Sequence, residues 1–132
     1  MLKLMLVEDD KVIWEIPLHT SHWEHRDLSR EFHAFEREIE HFGRLFNTLS
    51  NVGRIRMMRR IFESQDSLTF TELMNMLNMN PKIVSDYTKR LTRTGLIEKD
   101  NNGRYRSTSR GEAEFLMMSI ALRRMIEAFE RT

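Results

Sequence analysis

The punctuation between Leu77 and Gly95 constrains this chain most. Asn78-Met79-Asn80 is too short and too polar to be anything but a tight turn, and Asn80 followed by Pro81 places a capping side chain directly before a residue whose fixed φ suits the first position of a helix. Ile83, Val84, Tyr87 and Leu91 then recur at helical spacing, and Gly95 supplies a residue free to turn left-handed and stop the helix. A short helix through Glu72, Leu73, Met76 and Leu77 is expected before the turn, capped at Thr69 or Thr71. Before it, Val52, Ile55, Met58, Ile61 and Phe62 mark another helix over residues 52–64, with Arg54, Arg56, Arg59 and Arg60 between them. After Gly95 the period changes to two. Leu96-Ile97-Glu98 begins a strand, Asp100-Asn101-Asn102-Gly103 is a strong hairpin turn, and Arg104 to Thr108 returns.

The flanks read differently. Leu2, Leu4 and Leu6, then Val12, Trp14 and Ile16, alternate with other residues around the polar Glu8-Asp9-Asp10-Lys11, which predicts a hairpin ended by Pro17. A hairpin of two strands is marginal alone, so it must lie on something else. From Glu24 to Leu49, apolar residues at Leu28, Phe32, Phe35, Ile39, Phe42, Phe46 and Leu49 follow heptad spacing and predict one long helix. A last helix over 110–130 carries Phe115, Met118, Leu122, Met125 and Phe129 on one stripe, with Leu116, Ile120 and Ile126 beside it. The expected fold class is α+β, mostly helical. The expected organisation is an N-terminal hairpin and long helix over 1–51, a compact domain over 52–111 and a C-terminal helix over 112–132.

The formal net charge of +1 conceals a division of labour. Residues 1–51 hold 6 basic and 10 acidic side chains, residues 52–110 hold 12 and 6, and residues 111–132 hold 3 and 4. A basic segment inside an otherwise acidic chain points to a polyanion partner. There is no Cys, so disulfides and thiolate chemistry are excluded. The start of the chain does not read as a signal peptide, and no apolar stretch approaches the length of a membrane span, so a cytoplasmic protein without membrane association is expected. No phosphate-binding loop, nucleophile elbow or paired carboxylates appear, so neither enzymatic activity nor a cofactor is expected. The ten Met residues are read chiefly as core filling.

The order of helix, short extended piece, helix, three-residue turn, helix, hairpin and helix is that of a winged helix-turn-helix. Through Phe70-Thr71-Glu72-Leu73, Val84-Ser85, Leu91, Thr94-Gly95-Leu96-Ile97-Glu98 and Tyr105 to Gly111, the chain resembles the prokaryotic ArsR- and MarR-type transcriptional regulators over about 60 of its 132 residues. It departs from their usual aliphatic pattern at Thr88 and Ser107. The resemblance implies a DNA-binding regulator whose helix over about 81–94 enters the major groove while the wing, over about 98–107, meets the minor groove or backbone. Residue spacing agrees with a DNA-facing surface, because Lys82, Ser85, Asp86, Lys89 and Arg93 fall opposite the apolar stripe of that helix. Lys99, Arg104 and Arg106 lie on the wing, with Arg104 near the tip where a narrow minor groove would attract it. Thr69, Thr71, Lys89 and Arg90 suit contacts to phosphates.

Regulators of this kind acting as homodimers place two recognition helices about 34 Å apart on successive major grooves. Leu28, Phe32, Phe35, Ile39, Phe42 and Phe46 on the long helix, and Phe115, Met118, Leu122, Met125 and Phe129 on the last, are the candidate dimer surface. Two other readings stand beside this one. A winged helix also serves as a protein-association module, for which the Phe stripe would be the partner surface. A metal-responsive repressor would draw its ligands from His19, His22 and His25, whose three-residue spacing is a weak motif.

Overall fold

The computed structural model describes residues 1–131, which form two compact units, Met1–Phe42 and Gly43 onward. In the first unit β1 (Lys3–Glu8) pairs antiparallel with β2 (Lys11–Pro17), with Leu4 opposite Ile16 and Leu6 opposite Trp14. Asp9 and Asp10 take positive φ, 48° and 67°, as a two-residue hairpin turn of this kind requires. Beyond a 3-10 turn at Thr20–His22 runs α1 (His25–Arg37), and Trp23 donates its indole N–H to the Pro17 carbonyl at 2.8 Å. No residue of this unit is buried.

The single helix expected over 24–49 is instead two. α1 ends at Glu38, whose φ of −115° and ψ of 11° leave the helical region, and α2 (Ile39–Thr48) begins immediately after it. Heptad spacing persists across the break, so the stripe alone could not reveal it. Two uninterrupted turns would separate Phe35 and Phe42 by about 10.5 Å of rise. Across the break their rings stack at 5.1 Å and 14°.

The second unit contains the core. The second half of α2 enters it through Leu45 and Thr48, with Leu49 buried just beyond its end, so the compact unit begins at Gly43. α3 (Val52–Glu63), α4 (Phe70–Leu77) and α5 (Pro81–Arg93) follow, then β3 (Ile97–Lys99) and β4 (Tyr105–Ser107) in antiparallel pairing, with Leu68 bridging to Tyr105 as a third short edge. Met57, Met58, Leu73, Val84, Leu91 and Leu96 are fully enclosed and join one helix from each side of the turn to the base of the wing. The helix ends are specified locally. Thr69 and Glu72 form a reciprocal capping box, Asn80 caps α5 before Pro81, and Gly95 lies at φ 81° just past the α5 C-cap.

α6 (Ser109–Leu116) crosses the chain leaving α5. At Gly111 an added Cβ would lie 2.1 Å from the Leu96 carbonyl oxygen, so only glycine permits the approach. The last helix is not uniform: a five-residue π turn, Met117–Ala121, separates α6 from α7 (Leu122–Arg131). At the middle of this turn the Ser119 hydroxyl donates to the Phe115 carbonyl four residues back, which competes with the α-helical ladder. The expected stripe is divided as a result. Phe115 and Met118 pack on the core, whereas Leu122 and Phe129 are 43% and 50% exposed.

Candidate nucleic-acid interface

α5 owes its orientation to a buried face that includes one inward-turned threonine. Val84, Thr88 and Leu91 are buried, and the Thr88 hydroxyl is satisfied by donating to the Ser85 carbonyl at 3.1 Å. A polar residue therefore occupies an aliphatic position without an unpaired group. The opposite face presents Lys82, Asp86, Lys89 and Arg93 to solvent, with Ser85 half-buried among them.

Between α5 and the wing lies an open groove of about 490 Å³ lined by Ser85, Thr88, Lys89, Thr92, Arg93 and Lys99, together with the aromatic Phe70 and Tyr105. Three cations from two elements thus share one concavity without a lining carboxylate. Lys89 and Arg93 have no ion pair among the described residues, and Lys99 holds its ammonium 5.6 Å from the Tyr105 ring centre. The low carboxylate density leaves the positive potential of this groove uncancelled.

The wing itself is fastened to the core. Arg104, expected near the tip, turns inward: its Nε donates to Ser67 Oγ at 3.1 Å, and its Nη2 donates to the Ser67 carbonyl at 2.7 Å and to Glu72 Oε1 at 3.3 Å. The turn is closed by Asp100, which accepts from the backbone N–H groups of Asn102 and Arg104, each at 2.9 Å, so that Arg104 leaves it at the start of the return strand. Those N–H groups, Arg104 first, hold the Asp100 carboxyl below the usual range. Glu72 is lowered too, chiefly by the Thr69 backbone N–H, then by its hydroxyl and by Arg104. Thr69 spends its hydroxyl on the Glu72 N–H at 3.1 Å, so of the two threonines only Thr71 is exposed at this helix start.

Other candidates are placed less simply. Arg106 is exposed and ion-paired to Glu98 at 2.8 Å, and Arg90 donates to the Asn47 side chain at 3.1 Å. The candidate dimer residues divide: Phe32, Phe35, Ile39, Phe46, Leu122 and Phe129 are exposed, Leu28, Phe42 and Met125 are half-buried, and Phe115 and Met118 belong to the core. Phe115 lies 5.8 Å from Phe62. His19 is engaged with Ser21, and no three His, Asp or Glu side chains among the described residues are grouped to hold a metal ion.

One functional arrangement was missed in the sequence. Arg54, one of four basic residues interspersed along α3, is only 7% exposed. Its Nε donates to the Thr48 carbonyl at 2.7 Å and its Nη2 to the Asn47 carbonyl at 3.0 Å, closing the C-terminus of α2, while the guanidinium lies 5.6 Å from the ring centre of Tyr87 on α5. With the Thr48 hydroxyl against that of Thr94 at 2.7 Å, this fixes the end of α2 on the C-terminal end of α5. The signal was the polar Asn47-Thr48 end of one helix six residues before an Arg in the next.

The model of the winged helix-turn-helix family matches residues 53–127. The chain belongs to that family. Its fold is similar to that of reduced HlyU from Vibrio cholerae N16961, at 19% identity and a TM-score of 0.51, covering 64% of this chain and 94% of that one. It is also similar to MepR of S. aureus in a complex with DNA, at 17% identity and a TM-score of 0.52, covering 77% of this chain and 89% of that one. No curated protein matches the sequence. The expected winged helix-turn-helix, mostly helical with a small antiparallel hairpin, is the fold observed. Among the described residues no helix is long and apolar enough to cross a membrane.

Proposed function

We propose that the chain is a DNA-binding transcriptional regulator acting as a homodimer, with α5 entering the major groove and the wing lying against the backbone or minor groove. The observation that carries this reading is the carboxylate-free groove in which Lys89 and Arg93 of α5 meet Lys99 of the wing. Lys89, Arg93 and Lys99 neutralise phosphates, while Lys82, Ser85 and Asp86, near the start of α5, meet base edges. Arg106 and Thr71 reach the flanking backbone, and Arg90 does so beside Asn47. Arg104 is left out of the contact set because its guanidinium is committed to Ser67 and Glu72. The MepR complex with DNA supports the reading as an example of this fold on a duplex. Exposed Phe32, Phe35 and Ile39 in the first unit, and exposed Leu122 and Phe129 in the second, support self-association, since exposed apolar side chains on one element mark association surfaces.

The test is fluorescence anisotropy with random and genomic duplexes across a salt series. Binding that weakens steeply with salt, through release of condensed counterions, is expected. Absence of binding at low salt refutes the proposal.

A further inference from the structure

The N-terminal hairpin has no work in DNA binding, yet it is too apolar to be a solvated ornament. Leu2, Leu6 and Trp14 are 39%, 44% and 41% exposed, and together with Leu4 and Ile16 they share one face of a two-stranded sheet in which nothing is buried. Such a sheet is marginally stable in water unless strands or a packed layer are added.

Its two edges are not equivalent. On β2 the pairing passes from Trp14 to Val12, leaving Ile13 as a bulged extra residue, and the strand ends in Pro17, which has no N–H to give. Bulges and proline are the ordinary means of blunting an edge. β1 has neither. Leu18 donates to the Leu2 carbonyl at 3.0 Å, so the even residues of β1 spend their backbone groups inside the hairpin. The alternation of an antiparallel ladder then directs the N–H and C=O of Lys3, Met5 and Val7 outward.

We propose that β1 pairs antiparallel with β1 of a second copy about a two-fold axis at Met5, joining the two hairpins into one four-stranded sheet. This rests on the homodimer reading above and gives the hairpin a role within it. Charge selects the direction. Lys3, whose ammonium also donates to Glu15 of its own hairpin at 3.2 Å, opens the strand and Glu8, followed by Asp9 and Asp10, closes it, so antiparallel approach brings each Lys3 toward the acidic turn of the other copy, whereas parallel approach would set like charges together. Met5 faces Met5, Lys3 faces Val7, and Leu4 of one copy faces Leu6 of the other, which extends the Leu and Trp face without interruption across the axis. Because each hairpin has only one competent edge, the assembly closes at two and does not propagate.

The absence of native Cys makes the test direct. In the full chain, Met5→Cys places two thiols opposite each other across a hydrogen-bonded pair, about 5.5 Å between Cα atoms and within disulfide reach. Val7→Cys leaves its two thiols four residues out of step, about 14 Å apart. Met5→Cys should therefore oxidise to a covalent dimer at least about ten-fold faster than Val7→Cys under mild oxidant. Met5→Pro, which removes two outward donors per dimer and none of the hairpin's own, should raise the dimer dissociation constant about thirty-fold in sedimentation equilibrium. A full chain that sediments as a dimer while both cysteines cross-link equally slowly overturns the strand pairing and leaves the homodimer standing. A chain that is monomeric at every concentration overturns both.

Discussion

Replacing Arg54 by Met is the sharpest test of how α5 is held. Met keeps the apolar stem and removes the guanidinium, so the change deletes the hydrogen bonds to α2 together with the guanidinium's approach to the Tyr87 ring. Two are lost, at 2.7 Å to Thr48 and 3.0 Å to Asn47. Hydrogen bonds from a charged group contribute about 1.5–3 kcal/mol each. The two carbonyls do not suffer equally: Asn47 retains the Ser50 hydroxyl at 2.7 Å, whereas Thr48 loses its donor. Burying a cation is itself costly, and that cost is recovered in the variant. The net loss should be about 2–4 kcal/mol, equivalent to a fall in Tm of about 10 °C for a chain of this size. Arg54→Lys keeps the charge but cannot span both carbonyls, and should lose about half as much. Urea and thermal unfolding followed by circular dichroism measure both. A change below about 0.5 kcal/mol for Arg54→Met refutes the reasoning, since no buried charged group with two good bonds should be so dispensable.

Three further outcomes follow from the same structure. Gly111→Ala drives a Cβ into the Leu96 backbone, which cannot swing aside as a side chain could, and should cost about 3 kcal/mol or prevent folding, as read from denaturant midpoints. Lys89→Ala should weaken binding to all duplexes and reduce the salt slope by about one, while Arg104→Ala should lower Tm and leave that slope unchanged; an unaltered slope for Lys89→Ala would count against the groove. Glu72 and Asp100 have carboxyls held below their ordinary values, so their stabilisation is fully present above the unfolded carboxylate pKa, about 4, and disappears as pH falls through the lower folded values. Tm measured from pH 6 downward should therefore fall less steeply below about pH 4 in Glu72→Gln and Asp100→Asn, and superimposable profiles would remove the linkage.

The parts of the fold that were legible in the sequence are those specified by residues close together. Asn80-Pro81, Gly95 and the Asp100-to-Gly103 turn act through their own φ, caps and hydrogen bonds, and each element they bound is where periodicity predicts it. The basic face of α5 follows from the same periodicity. What escaped depends on partners far along the chain. Arg104 lies 37 residues from Ser67, and no local rule distinguishes an Arg that reaches back from one that reaches out. Arg54 lies closer to the carbonyls it serves, but they belong to another helix. The break at Glu38 has neither proline nor glycine to announce it, and the heptad stripe passes through it unaltered.

The π turn at Met117–Ala121 has a consequence for how the last helix is divided. One residue more than an α-helical turn advances everything beyond it by about 100°. α6 and α7 are therefore a single rod in two phases, the first committed to its own domain through Phe115, with Met118 of the turn beside it, the second turned outward through Leu122 and Ile126. A stripe that reads as continuous in sequence serves two surfaces. Each can change without disturbing the other, and deletion of a single residue near Ser119 would bring them back into phase.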